Sequence, residues 1–135
     1  GSNVLHMGDI FFNGLYPYID LDGGGSIQGM IAAVDLALTL ADDRTQVIPG
    51  HGPVSDRAGL VEYRDFLVRA RDNVQALVDQ GMSLQQAVAA RPTAEWDEAL
   101  GGVWITPEQL VTFIYNSLTG VEHYTAPAAQ DTATE

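Results

Sequence analysis

Two short apolar segments, each leading into a glycine-flanked polar residue, constrain the fold of this chain most. Residues 3–7 have the pattern of a buried strand, which ends at the pair GD (8–9). Residues 45–48 have the pattern of a second, β-branched strand, which ends in the turn GHG (50–52). Two strands joined through one helix lie parallel in the same sheet, so the sequence predicts an α/β fold with a small β-sheet covered by helices.

An amphipathic helix separates the two predicted strands. Ser26 is its N-cap, and the apolar residues after it recur at spacings of three and four. These residues are Ile27, Met30, Ile31, Val34, Leu38 and Ala41. Four more helices are predicted beyond the second strand. The first is long and runs from Ser55 or Asp56 to Gly81, and the second is short and runs from Ser83 to Ala90. The third covers residues 93–100, and the last starts at Thr106.

Composition narrows the range of partners. The chain has 135 residues, a net charge of −12, six arginines, no lysine and no cysteine. Such an acidic chain repels phosphate backbones, so nucleic acid is not an expected partner. Thiolate metal sites and disulfides are excluded, and no apolar run reaches the roughly 18 residues that a membrane helix needs. Cytoplasmic and periplasmic locations both stay open.

The chain divides into one domain and two short ends. We interpret residues 1–2 as an expression scar, 3–120 as the domain, and 121–135 as a flexible tail, because the last stretch is small and polar. Two or three strands make only a thin sheet, whose edges need covering. The sequence therefore predicts a fold that is incomplete or assembled from more than one chain.

Asp9 and His51 are the candidate metal ligands. Each follows a glycine and is predicted at the carboxyl end of a strand, where open α/β sheets bind their ligands. A carboxylate oxygen and an imidazole nitrogen are both good ligands for zinc, iron or manganese. Taken singly, each residue also fits an ordinary turn. The two together, in this order, indicate one shared metal site.

Two further histidines and one loop are weaker candidates. Strand alternation places His6 opposite Asp9, so we expect it to pack or to support a ligand, and His123 falls in the predicted tail. The stretch DLDGGG (20–25) begins like a calcium loop, but the twelfth position is Ile31 where such a loop needs glutamate.

The glycines before the Ser26 helix could present backbone amides to an anion. Without a lysine or a complete G-x-G-x-x-G pattern, a flexible loop is the favoured interpretation. Trp96 and Trp104 are expected to pack rather than to form a stacking platform.

The stretch NVLHMGDIFFNG (3–14), the following helix, the stretch TQVIPGHGP (45–53) and the long helix after it resemble the C-terminal half of a metallo-β-lactamase-fold hydrolase. The similarity covers roughly residues 3–118. It implies half of a four-layer αββα sandwich, with Asp9 bridging two metal ions and His51 binding the second. It also implies a dinuclear zinc hydrolase, or one with iron or manganese, that activates water to cleave an ester, thioester, lactam or phosphoester.

The chain departs from that family in its ligand set. The family's H-x-H-x-D-H motif and a further metal-binding histidine have no counterpart here. We therefore expect the isolated chain to be inactive, and the metal to bind only when a missing N-terminal half or a partner chain completes the site. A small-molecule substrate would then bind near Tyr16, Tyr18 and Asp20, whose loop corresponds to the family's substrate rim.

The alternative is a metal-free, non-catalytic half-domain that dimerises or binds a partner. Half of a sandwich exposes the sheet face that meets its twin, so a homodimer or a larger assembly is expected under both hypotheses.

Overall fold

The computed structural model describes residues 3–121 and 123–124, and within them it has an α/β architecture of five helices and one three-stranded mixed sheet. In chain order the elements are β1 (Val4–Phe12), α1 (Ile27–Leu40), β2 (Gln46–His51), β3 (Ser55–Asp56), α2 (Arg57–Asp79), α3 (Leu84–Ala89), α4 (Ala94–Leu100) and α5 (Pro107–Thr119). The helices begin and end close to the predicted residues, because local capping and apolar periodicity specify them.

The sheet has the order β1-β2-β3. Strand β1 lies parallel to β2, as the helical connection between them predicted. The two-residue strand β3 pairs antiparallel with β2 and was not predicted. It escaped prediction because Asp56 also carries the expected helix signal: its side chain accepts a hydrogen bond from the Gly59 amide and caps α2.

Helices cover one face of this sheet. Leu5 and Val47 are register partners on the face that packs against α1 and α2, and Val47 is fully buried. The opposite face carries Val4, His6, Gln46 and Ile48, of which Val4 is 45% exposed. The described part of the chain is therefore a two-layer fold whose outer sheet face is a mixture of apolar and polar side chains.

Helices α1, α2 and α5 supply most of the core. Their capping residues match the sequence analysis: Ser26 accepts from the Gly29 amide, and Thr106 forms a capping box with Gln109. Helix α2 buries one apolar seam against α1 and α5. The buried residues of this seam are Leu60, Tyr63, Phe66, Leu67, Ala70 and Val74.

The start of the predicted tail contacts the body of the fold. The Val121 amide donates to the Asn116 carbonyl at 2.8 Å, and the Tyr124 ring lies 5.5 Å from the Phe113 ring. The rest of the predicted tail and the predicted expression scar (1–2) lie outside the described residues. None of the helices described is both long enough and apolar enough to cross a membrane.

Candidate metal site and adjoining cleft

Gly50 is required because β2 runs against β1 at that point. A Cβ at Gly50 would lie 2.6 Å from the carbonyl carbon and oxygen of Gly8 and would also overlap the Asp9 carboxylate. No side chain fits such a gap, so the first glycine of the GHG turn allows close contact between two backbones. That contact places His51 beside Asp9.

Gly8 changes the course of β1. Its φ of +57° is left-handed, and the register between β1 and β2 shifts on both sides of it. The strand then continues to Phe12, so the expectation that Asp9 lies beyond the strand end is wrong. The same irregularity breaks the alternation: Met7 is buried, whereas Asp9 two positions later is exposed.

Gly52 and Asn13 close the turn on its other side. Gly52 has a φ of +94°, and a Cβ there would overlap the Asn13 carbonyl. The Asn13 amide donates to the His51 carbonyl at 2.9 Å, and its side-chain amide donates to the Pro53 carbonyl at 2.8 Å. Asn13 thus fixes the backbone of the turn at His51 and at Pro53, independently of the contacts that the His51 side chain makes.

Asp9 and His51 form a close pair. The Asp9 Oδ1 atom lies 3.4 Å from the His51 Nε2 atom, and the two side chains are 79% and 42% exposed. Two ligands of a tetrahedral ion with bonds of about 2.0–2.2 Å are roughly 3.3–3.6 Å apart. The donor types and their separation therefore fit a single zinc-sized ion.

Aromatic rings hold the His51 side chain. The Phe12 ring stacks on the imidazole at 5.0 Å with an interplanar angle of 6°, and the Trp104 ring lies 5.3 Å away at 39°. Phe12 is buried, so it forms a fixed support. The imidazole is therefore oriented by apolar contacts, with Nε2 directed toward Asp9.

The other histidine of β1 does not join the pair. His6 is exposed, and its Nδ1 accepts a hydrogen bond from the Gly8 amide at 3.2 Å. The expectation that it packs is therefore wrong, because it lies on the uncovered face of the sheet. Across the described residues, no three His, Cys, Asp or Glu side chains come together as a metal-binding group.

A cleft of about 430 Å³ opens beside Asp9. Its lining residues include Phe12, Tyr18, Asp20 and Trp104. Tyr18 and Asp20 were expected at a substrate pocket and they line this cleft. Trp104 was expected only to pack; instead it is 50% exposed and contacts the rings of Phe12, Tyr18 and His51.

Tyr16 is not part of the cleft, and the expectation that it lines a pocket is wrong. Its side chain is fully buried, and its hydroxyl donates to Asp97 Oδ1 at 2.6 Å. Burial and this bond to a carboxylate raise the pKa of the Tyr16 hydroxyl above its ordinary value. Tyr16 therefore ties its loop to α4 and contributes no group to the candidate site.

The glycine-rich loop before α1 uses its own amides. Gly23 donates to Asp20 Oδ1, Gly24 to the Leu21 carbonyl and Gly25 to the Asp20 carbonyl. At the start of α1, Ile27 donates to Ser117 Oγ. These N–H groups are satisfied within the protein, which agrees with the sequence interpretation that disfavoured an anion site.

Comparison of the sequence with protein-family models finds no family that matches it, and comparison with curated proteins finds no match. The resemblance to metallo-β-lactamase-fold hydrolases therefore depends on the motifs around Asp9 and His51.

Sequence reasoning missed the aromatic support of the site. No role in the site was predicted for Phe12, and Trp104 was expected only to pack. A weak signal existed for Phe12, which lies three residues after Asp9 in an apolar run. None existed for Trp104, because only the packing of the loop between α4 and α5 brings it to His51.

Proposed function

We propose that this chain supplies two metal ligands, Asp9 and His51, to a metal-dependent hydrolase of the metallo-β-lactamase type. The observation that carries the proposal is the 3.4 Å separation between Asp9 Oδ1 and His51 Nε2. Two glycines permit that separation by removing the Cβ atoms that would keep the strands and the turn apart.

The donor set suits zinc, and iron or manganese would also accept it. Such a metal, when bound, would polarise a scissile carbonyl or phosphoryl group and lower the pKa of a water molecule. A catalytic zinc site takes three protein ligands, and this chain supplies two. The remaining ligands would come from another polypeptide segment or from a partner chain, which the exposure of both side chains permits.

The residues of this chain would hold and orient the reacting groups. Phe12 and Trp104 fix the orientation of the His51 imidazole. The Nε2 atom would therefore lose little conformational freedom when a metal binds. The same two rings lie on one side of the His51 imidazole. Asp9 would contribute negative charge to bind the metal and would also border the cleft, where substrate would enter.

The second candidate is a metal-free half-domain that associates with a partner. Two observations favour it: the described residues bring together fewer than three metal-type side chains, and one sheet face is uncovered. In that case the Asp9–His51 contact would be a surface ion pair, which contributes little to stability.

Metal content separates the two candidates. Protein purified without added metal would be analysed for zinc, iron and manganese. Zinc binding to the metal-free chain would be titrated by calorimetry at tens of micromolar protein, where the expected homodimer forms and a second copy can supply further ligands. Asp9→Ala and His51→Ala should each abolish zinc binding. His6→Ala and Asp22→Ala remove the same residue types outside the pair and should leave it unchanged.

Zinc binding that survives both site substitutions would contradict the proposal. Binding lost in both, with one or two ions for each assembled unit, would support it and would justify assays with ester and phosphodiester substrates.

A further inference from the structure

The cleft beside Asp9 presents two large aromatic rings to solvent. Trp104 is 50% exposed and Tyr18 is 40% exposed, and their ring centroids lie 5.9 Å apart with an edge-to-face angle of 67°. Each ring is supported from behind: Tyr18 stacks on Phe113 at 5.6 Å, and Trp104 contacts Phe12 at 6.2 Å. Fixed rings around a cavity of about 430 Å³ provide stacking surfaces for a flat apolar group.

The charge around the cleft has one sign. Asp9 and Asp20 are its charged lining residues, and among the described residues that line it there is no arginine. Five of the six arginines are bound to acceptors on the helical layer. They are Arg57, Arg64, Arg69, Arg71 and Arg91. The Gly23 amide donates to Asp20 Oδ1, and the amides of Gly24 and Gly25 donate to backbone carbonyls, so the glycine-rich loop adds no cation to the cleft.

We infer that the cleft binds a small molecule that combines a flat apolar ring with a positive charge. The ring would lie against Trp104 and Tyr18, and the cationic group would lie toward Asp20. A ring with an anionic substituent would meet two carboxylates without a compensating cation. The inference depends on the proposed function in one respect only: such a ligand would lie next to the Asp9–His51 pair. The binding itself needs no metal.

Tryptophan fluorescence can measure this binding directly. The chain has two tryptophans, and Trp96 lies outside the cleft, against Phe66 and Arg69. Trp96→Phe therefore leaves Trp104 as the reporter. The metal-free Trp96→Phe chain would be titrated with benzylamine, benzyl alcohol and benzoate, which share a ring and differ in charge. We expect saturable quenching by benzylamine at a Kd roughly tenfold lower than that of benzoate, with the alcohol between them.

Two pairs of variants test whether benzylamine binds in this cleft. Asp20→Asn keeps the oxygen that accepts from Gly23 and should reduce the preference for benzylamine over benzoate. Asp22→Asn makes the same charge change in the same loop but outside the cleft lining, and it should preserve the preference. Ala33→Phe fills the cleft and should abolish quenching, whereas Ala32→Phe, one residue away and outside the lining, should not.

Equal Kd values for the three ligands, no saturable quenching, or quenching that persists in Ala33→Phe would overturn the inference. The outcome is separable from that of the metal proposal. Benzylamine binding without zinc binding would overturn the proposed function alone, and zinc binding without benzylamine binding would overturn this inference alone.

Discussion

At the scale of single residues, glycine decides the geometry of the candidate site. Gly8 and Gly52 have the left-handed φ values that the bulge and the turn require, and Gly50 leaves room for the backbone of β1. The three glycines give the site this backbone geometry in the absence of any ligand. They set the distance between the Asp9 carboxylate and the His51 imidazole through the close approach of the backbones.

Gly50→Ala should therefore lower both stability and metal affinity. The new methyl group would overlap Gly8 and the Asp9 carboxylate, so the strands must separate, at a cost of about 1–3 kcal/mol in the free energy of unfolding. Urea denaturation would measure the loss. Gly102→Ala is the control, because a Cβ there has no neighbour within 4 Å; its effect should stay within about 0.5 kcal/mol. Equal stability of the two variants would show that the strands are not tightly apposed.

Tyr16→Phe tests the buried hydroxyl. Removing the bond to Asp97 should cost about 1–2 kcal/mol of unfolding free energy. Because the pKa of Tyr16 is raised in the folded protein, its contribution is fully present below the ordinary tyrosine value of about 10 and decreases as pH rises above it. Denaturation midpoints measured across the alkaline range should fall less steeply in the variant. Parallel slopes would show that Tyr16 ionises as easily when folded.

At the scale of elements, the connection from α1 to β2 orders the first two strands. The Asp42 Oδ1 atom accepts from the Arg44 amide at 2.8 Å and from the Asn3 side chain at 2.9 Å. The Thr45 hydroxyl belongs to the same hydrogen-bond network, since it donates to Asn3 Oδ1 at 2.7 Å. One carboxylate thus links the end of the helical connection to the beginning of β1, where the parallel pairing starts.

Because Asp42 accepts these hydrogen bonds, we expect the free energy of unfolding to decrease in acid. The hydrogen bond from the Arg44 amide, followed by that from Asn3, lowers the pKa of Asp42. Its contribution is therefore present above the ordinary aspartate value and is lost as pH falls through the lower, folded value, below about pH 4. Asp42→Asn should show a smaller loss of stability between about pH 7 and about pH 3 than the unaltered chain. Asp43→Asn, the neighbouring control, should keep the full loss, and the reverse order would contradict the assignment.

At the scale of the whole molecule, the uncovered sheet face is the surface through which we predict that the chain associates. Val4 and Ile48 lie on it together with His6 and Gln46, so it is less apolar than the face expected from half of a sandwich. Among the described residues, strand β1 is also an edge strand that pairs with β2 alone. The homodimer therefore stays a prediction, and its surface is this face and edge.

Light scattering at tens of micromolar protein would test whether the chain forms the predicted homodimer. The unaltered chain should show at least twice the monomer mass of 14.5 kDa. Val4→Arg places a charge on the uncovered face and should shift the mass toward the monomer. Leu40→Arg introduces the same charge at a residue of α1 that is 69% exposed, and it should not. A monomeric unaltered chain would contradict the prediction.

Local interactions explain what could be predicted from the sequence. Helix starts at Ser26, Ser83 and Thr106 follow from caps bonded to amides three residues away, and the parallel order of β1 and β2 follows from the helix between them. The choice of Asp9 and His51 as a pair also came from the sequence, because glycines beside them signalled unusual backbone geometry.

Tertiary structure alone decided the course of β1 through Gly8, the burial of Tyr16 and the position of Trp104 beside His51. Each depends on contacts between residues distant in the chain, such as Gly50 with Gly8 or Tyr16 with Asp97. Sequence patterns report a residue's neighbours along the helix or strand, whereas these contacts are set by how completed elements pack. The sequence by itself therefore determined the elements and the candidate ligands, and packing determined the shape and charge of the cleft in which they lie.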